Sequence, residues 1–138
     1  MKYLTTLALL GASLLLAGCA SDKIKLELNR TYVVEWIGER PLIDNSYLTI
    51  TLDEDGRAFG TGGCNHWFAS YTMKDQQISF GQTGSTRMMC APALMEQEQR
   101  FFDALGKVQH WDLSETEQLR LWPAEGKPIR MWPEASGV

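Results

Sequence analysis

"YLTITLDEDGRAFGTG", residues 47–62, alternates Leu48, Ile50 and Leu52 with Tyr47, Thr49 and Thr51, then turns at Asp53 to Gly56. Period-two alternation ahead of an Asp-Gly pair is the pattern of a β-hairpin. Successive side chains of a strand point to opposite faces, and glycine takes the positive φ that a tight turn demands. The reading extends outward in both directions. Upstream, "LELNRTYVVEWIG" (26–38) mixes β-branched and aromatic residues, and downstream "SYTMK" and "QISFG" flank a polar turn at Asp75 and Gln76. "KVQHWDLS", "QLRLWP" and "KPIRMWP" add three short strands towards the C-terminus, separated by Glu115 to Glu117 and by Glu125 to Gly126.

Pro92 to Leu105 breaks this rhythm. Proline stands at a first-turn position, good helix formers "ALMEQEQRFFDAL" follow, and Gly106 is placed to cap the C-terminus, which predicts one α-helix over about residues 92–105. By spacing, Leu94, Phe101, Phe102 and Leu105 share its apolar face with Met95 at the edge, while Glu96, Gln99, Arg100 and Asp103 take the other side. Strands, one helix, then strands, joined by hairpin-length turns, predict a mainly β (α+β) fold. It would be an antiparallel sheet or open barrel packed on that helix.

Residues 1–18, "MKYLTTLALLGASLLLAG", carry Lys2, no acidic residue and an apolar run that ends in small residues. The run is shorter than the roughly 20 residues of a membrane-spanning helix, and its layout is that of an export signal. "LLAGC", ending at Cys19, resembles the lipobox of bacterial lipoproteins, in which the cysteine is lipidated and becomes the first mature residue. The resemblance implies a diacylglycerol thioether and an acylated amine. At about 0.8 kcal/mol per buried CH₂, three chains hold a protein at a membrane stably without spanning it. Ala20 and Ser21, in place of Asp, imply sorting to the outer membrane, facing the periplasm. Residues 19–25 then read as a tether and 26–133 as one folded domain.

The hydrophobic content of 44% and charged content of 22% are ordinary for a globular domain. A net charge of −4, with no basic run interleaved with aromatics, argues against nucleic acid as a partner. With Cys19 taken by lipid, Cys64 and Cys90 form an even pair in an exported chain, most simply a disulfide. Closing a loop of about 27 residues would stabilise the fold by roughly 3.5 kcal/mol.

"TGGCNHWFASY", residues 61–71, also admits other chemistry. A nucleophilic Cys64 with His66 as base needs a thiolate, a base within hydrogen-bonding reach and an orienting third group, and a disulfide removes the thiol. The metal-ligating types Cys64, His66, Cys90 and His110 lack C-x₂-C or H-x₃-H spacing, so no metal or cofactor is expected. Gly60, Gly62 and Gly63 precede no phosphate-loop lysine and read as a turn that places Cys64, with Asn65 bonding local backbone. Arg87, in "STRMMC", is expected to pair structurally with Glu96 or Glu98. Trp111, Trp122 and Trp132 recur on three neighbouring strands and are a candidate interaction face, although burial in the core is the usual place for any one tryptophan.

Taken in order, "GRAFGTGGCNHWFASY", "QISFG", "STRMMC" and "MEQEQRFFDAL" resemble the META domain, the family of HslJ-like bacterial envelope proteins. The resemblance runs from about Leu26 to Trp132 and is densest between Gly56 and Leu105. It departs in the first strand, where Tyr32 stands in place of the family's usual tryptophan and Trp36 follows four residues on. It implies a cracked barrel with one packed helix, no established enzymatic activity or cofactor, and a link to envelope stress or antibiotic tolerance. The expectation is a non-enzymatic, lipid-anchored binding or assembly module whose partner is an envelope protein or a hydrophobic ligand. The alternative is a small envelope enzyme or a redox-active protein.

Overall fold

A computed structural model describes residues 18–19 and 23–136; the signal expected over 1–18, save Gly18, and Ala20 to Asp22 of the tether lie outside the described residues. The strands are β1 (Thr31–Ile37), β2 (Arg40–Pro41), β3 (Thr49–Leu52), β4 (Arg57–Thr61), β5 (His66–Lys74), β6 (Gln77–Phe80) and β7 (Gly84–Ser85). The helix α1 (Pro92–Leu105) follows, then β8 (Val108–Leu113), β9 (Leu119–Pro123) and β10 (Ile129–Pro133). Both expected hairpins form. Gly56 (φ 81°) and Asp75 (φ 53°) make the turns, and Asp53 Oδ1 accepts the backbone N–H groups of Asp55 and Arg57.

Among the described residues eight antiparallel strands run in the order β1-β3-β4-β5-β6-β8-β9-β10 and return to β1. The barrel is therefore closed, not cracked open as expected. The reason lies in β1, which bonds on both sides, Tyr32 opposite Ile50 of β3 and Val34 opposite Met131 of β10. Closure satisfies the backbone groups that an open sheet leaves at its edges. The thinnest seam joins β6 to β8, where Gln77 faces His110 and the Trp111 N–H donates to the Gln76 carbonyl.

An eight-stranded barrel has an interior that side chains alone can fill. Here Tyr32, Val34, Leu48, Ile50, Trp67, Ile78, Trp111, Leu119, Leu121, Ile129 and Met131 fill it. A bulge in β1 between Val34 and Trp36 shifts the parity of the strand. Ile37 therefore turns inward, and Trp36 lies outside under the Arg130 guanidinium, 4.7 Å from its ring centre. Tyr32 is buried among the interior residues. Thr49 and Thr51 are also buried, which the alternation does not foresee. Thr49 Oγ1 accepts the Thr61 N–H and Thr51 Oγ1 shares a hydrogen bond with Thr31.

The helix closes one end of the barrel. Phe101 and Leu105 are buried and Phe101 meets Trp67 edge-to-face at 5.2 Å. Gly106 ends the helix at φ −65°, so it terminates α1 without a left-handed turn. At the opposite end Leu26 is buried in the core and Asn29 donates to the Leu52 carbonyl. No helix among the described residues is long and apolar enough to cross a membrane.

Candidate functional site

The glycine-rich turn, the 84–90 segment and α1 converge at the helix end of the barrel. Gly63 adopts φ 96°, and a Cβ added to Gly62 would lie 2.4 Å from Glu98 Oε2, so glycine is what lets the helix carboxylate reach the turn. Glu98, 5% exposed, accepts the backbone N–H groups of Cys64 (3.2 Å) and Asn65 (2.7 Å) on Oε2 and the Asn65 amide on Oε1 (2.7 Å). Asn65 Oδ1 in turn accepts from Thr86 Oγ1 and from the Met88 N–H. Cys64 is bonded to Cys90, as expected. One residue earlier, fully buried Gln97 accepts the Ile43 N–H and donates to Ser46 Oγ, tying the 42–47 loop to the helix. Charge-assisted bonds to a buried carboxylate are among the stronger single polar contacts. This clasp therefore fixes where α1 lies on the barrel.

The clasp corrects the expected pairing of Arg87. Glu98 is taken by Asn65 and Cys64, Glu96 is exposed, and Arg87 is exposed and outside the salt bridges formed among the described residues, Arg30–Glu27, Arg57–Asp53 and Arg120–Asp112. Cys64, paired with Cys90, offers His66 no thiol, and His66 is exposed at the start of β5. Among the described residues no group of three or more His, Cys, Asp or Glu side chains is placed to hold a metal ion.

The three tryptophans do not share a face. Strand alternation turns Trp111 inward, 2% exposed, with its indole N–H on the Asp75 carbonyl. Trp122 and Trp132 face outward. Trp122 stacks on His110 at 6.0 Å, lies beneath Arg120 and donates to Asp112; Trp132 donates to Glu35. The Asp112 carboxyl feels two opposed influences. Burial pushes its pKa up, but hydrogen bonds from Arg120 and Trp122 and the Arg120 charge hold it below the usual carboxylate range.

Two clefts flank α1. The larger, about 750 Å³, runs between the helix and the 81–89 segment and is lined by Asn65, Thr86, Arg87, Met88, Glu98 and Lys107 among others. The smaller, about 370 Å³, lies beside the helix between Arg100, Lys107 and Lys127, with the buried core residues Ile37, Leu121 and Ile129 behind it. Gln97, Arg100 and Lys127 were not legible as site residues in the sequence. For Glu98 a signal existed: it stands four residues after Leu94 and three before Phe101, on the helix's apolar stripe.

The molecule is thus of the small closed-barrel class, with one pole sealed by a helix pinned to a disulfide-stapled turn. Residues 24–136 match the model of the META domain, and the chain belongs to that family. A solved structure described as "NMR structure of the protein from Burkholderia xenovorans" is similar at 25% identity and a TM-score of 0.65, covering 79% of this chain and 84% of that one. A second, "NMR structure of the protein", shares the fold at 24% identity and a TM-score of 0.58, over 75% of this chain and 87% of its own. No curated protein matches.

Proposed function

We propose that this META-family protein is a non-enzymatic envelope module, exported by residues 1–18 and held by lipid on Cys19 at the outer membrane, facing the periplasm. It binds or helps assemble an envelope component under stress or antibiotic exposure. One observation carries the reading: the reactive groups of the signature are engaged with one another, while cationic groups lining the clefts beside α1 form no salt bridge among the described residues. Cys64 is in a disulfide, and Asn65 and Glu98 hold each other. Arg87, Lys107 and Lys127 are exposed and outside the salt bridges among the described residues. Unused donors at the rim of a cleft suit recognition, whereas catalysis needs a nucleophile, a base and an orienting group in mutual reach. Cys19 is exposed and unpaired, which leaves its sulfur open to acylation.

Labelling with an alkynyl palmitate analogue, followed by envelope fractionation, tests the anchor. The wild-type chain is expected to be labelled and membrane-bound, and Cys19→Ala unlabelled and released. A wild-type chain that stays unlabelled and soluble overturns the anchored reading. Crosslinking in intact envelopes, with Cys19→Ala as the unanchored control, tests the binding half; one recurrent partner through the helix end is expected.

A further inference from the structure

One wall of the larger cleft is a strand edge with which no strand among the described residues pairs. β7 bonds only β5, and β6 meets β8 through Gln77–His110 alone. The bonds on the far side of this edge fix which way its backbone points. The Thr86 N–H donates to the His66 carbonyl, so by strand alternation Ser85, opposite Trp67, turns its N–H and C=O away from β5. On β6 the N–H of Tyr71 goes to the Gly56 carbonyl on the β4 side, so Phe80, opposite Tyr71, likewise directs its backbone groups outward. Ser85 is half-buried and lines the cleft. A bare strand edge is a template for another strand, and proteins commonly blunt one with proline or lysine. β2, a short strand paired only with β1, is blunted by Pro41, which has no N–H to give; residues 80–86 contain neither proline nor lysine.

The same cleft holds Arg87 on this wall and Lys107 just past the helix, both exposed and outside the salt bridges formed among the described residues. Of its two acidic groups, Glu98 is buried and held by Cys64 and Asn65, while Asp103 accepts the Gln99 amide. The open cations therefore outnumber the open carboxylate, in a chain whose net charge is −4. Met88, 52% exposed, and half-buried Phe102 add accessible apolar surface.

We infer that this cleft takes an extended acidic peptide as an added strand on the β6–β7 edge, which names the partner class of the binding-module reading and rests on it for the helix end being the working end. The peptide backbone bonds Phe80 and Ser85, its carboxylates lie at Arg87 and Lys107, and the side chains alternating with them lie on Met88 and Phe102. At about 3.3 Å per residue the edge from Phe80 to Ser85 spans at most about 17 Å, room for about five extended residues. The cleft volume of about 750 Å³ is within the range of ligand sites. Methionine gives an adaptable apolar contact, so the charge and extended backbone of the peptide count for more than its exact sequence.

The full-length Cys19→Ala chain, in neutral detergent, is titrated with a capped pentapeptide of alternating glutamate and valine, with the same peptide carrying lysine for glutamate, and with the acidic peptide N-methylated at every residue. Binding is read by calorimetry, and by amide shifts and hydrogen exchange in NMR. The acidic peptide is expected to bind saturably, to shift the amides of residues 80–88 and of the end of α1, and to slow exchange at Phe80 and Ser85. The lysine peptide and the N-methylated peptide are expected to bind about tenfold or more weakly, the first for its charge and the second for its missing N–H groups. The Arg87→Glu/Lys107→Glu variant should lose a similar factor for the acidic peptide; if it fails to fold, raising salt to about 0.5 M on the unchanged side chains reads the same dependence. Absence of saturable binding, equal affinity for either control peptide, affinity indifferent to both charge tests, or shifts confined to the exposed Phe59 and Phe68 face overturns the inference. An envelope partner captured through the helix end while the acidic peptide fails to bind sinks this inference alone; peptide binding by a protein that takes up no palmitate sinks the anchor alone.

Discussion

Glu98 and Gly62 form one unit, because the carboxylate occupies the space a β-carbon at residue 62 would need. Glu98→Gln replaces one acceptor oxygen with an amide that faces N–H groups, and is expected to lower stability by about 1.5–3 kcal/mol in urea unfolding. Gly62→Ala is expected to cost about 2 kcal/mol by displacing the carboxylate. Because Glu98→Ala already removes the clashing atoms, the Gly62→Ala/Glu98→Ala double variant should lose less than the sum of its singles, by about 1 kcal/mol. Additive losses would show that the two positions act separately. Arg87→Ala, by contrast, should change stability by no more than about 0.5 kcal/mol, since its side chain is exposed and outside every salt bridge among the described residues.

At the level of elements, Cys64–Cys90 staples the turn to the 84–90 segment, and Glu98 ties the helix to the same turn. The Cys64→Ser/Cys90→Ser double variant should unfold with about 3 kcal/mol less stability and should free the 84–90 segment first. The β6–β8 seam, with its sparse pairing, should show faster amide hydrogen exchange than the β4–β5 ladder, which is paired from Arg57–Ser70 to Thr61–His66. Strands and turns were largely legible in the sequence, because alternation and residues such as Gly56 and Asp75 act locally. Barrel closure was not: it depends on β1 meeting β10 across nearly the whole chain, a pairing no local pattern encodes. The inward turn of Trp111 is ordinary alternation, but its facing depends on strand register, and the parity change in β1 depends on a bulge that local spacing does not reveal. At the site, the staple was readable from the even number of cysteines left once Cys19 is set aside in a chain expected to be exported. The partner of Glu98 was not, because an asparagine in a turn gives no hint of which distant carboxylate it will meet.

Across the whole molecule, acid should loosen the barrel through two carboxyls. Backbone N–H donation from Arg57 leads the influences holding Asp53 below the usual range, and at Asp112 the bonds from Arg120 and Trp122 outweigh the effect of burial. Both groups bind protons less readily in the folded state than in the unfolded one. Their contribution is complete above the ordinary carboxylate range and is lost as pH falls through it and below. Asp53→Asn and Asp112→Asn should therefore melt lower than wild type at neutral pH and converge on it between about pH 4 and pH 2; a gap that stays constant with pH would rule out this source. The N-terminal segment enters the barrel beside Leu26, at the pole far from α1, and the nine residues of β5 between the two poles span about 30 Å. Under the proposed anchoring, the domain hangs from the membrane by its base like a lamp on a short cord. The helix pole and its two clefts then face the interior of the periplasm, where a passing molecule meets them before it meets the lipid.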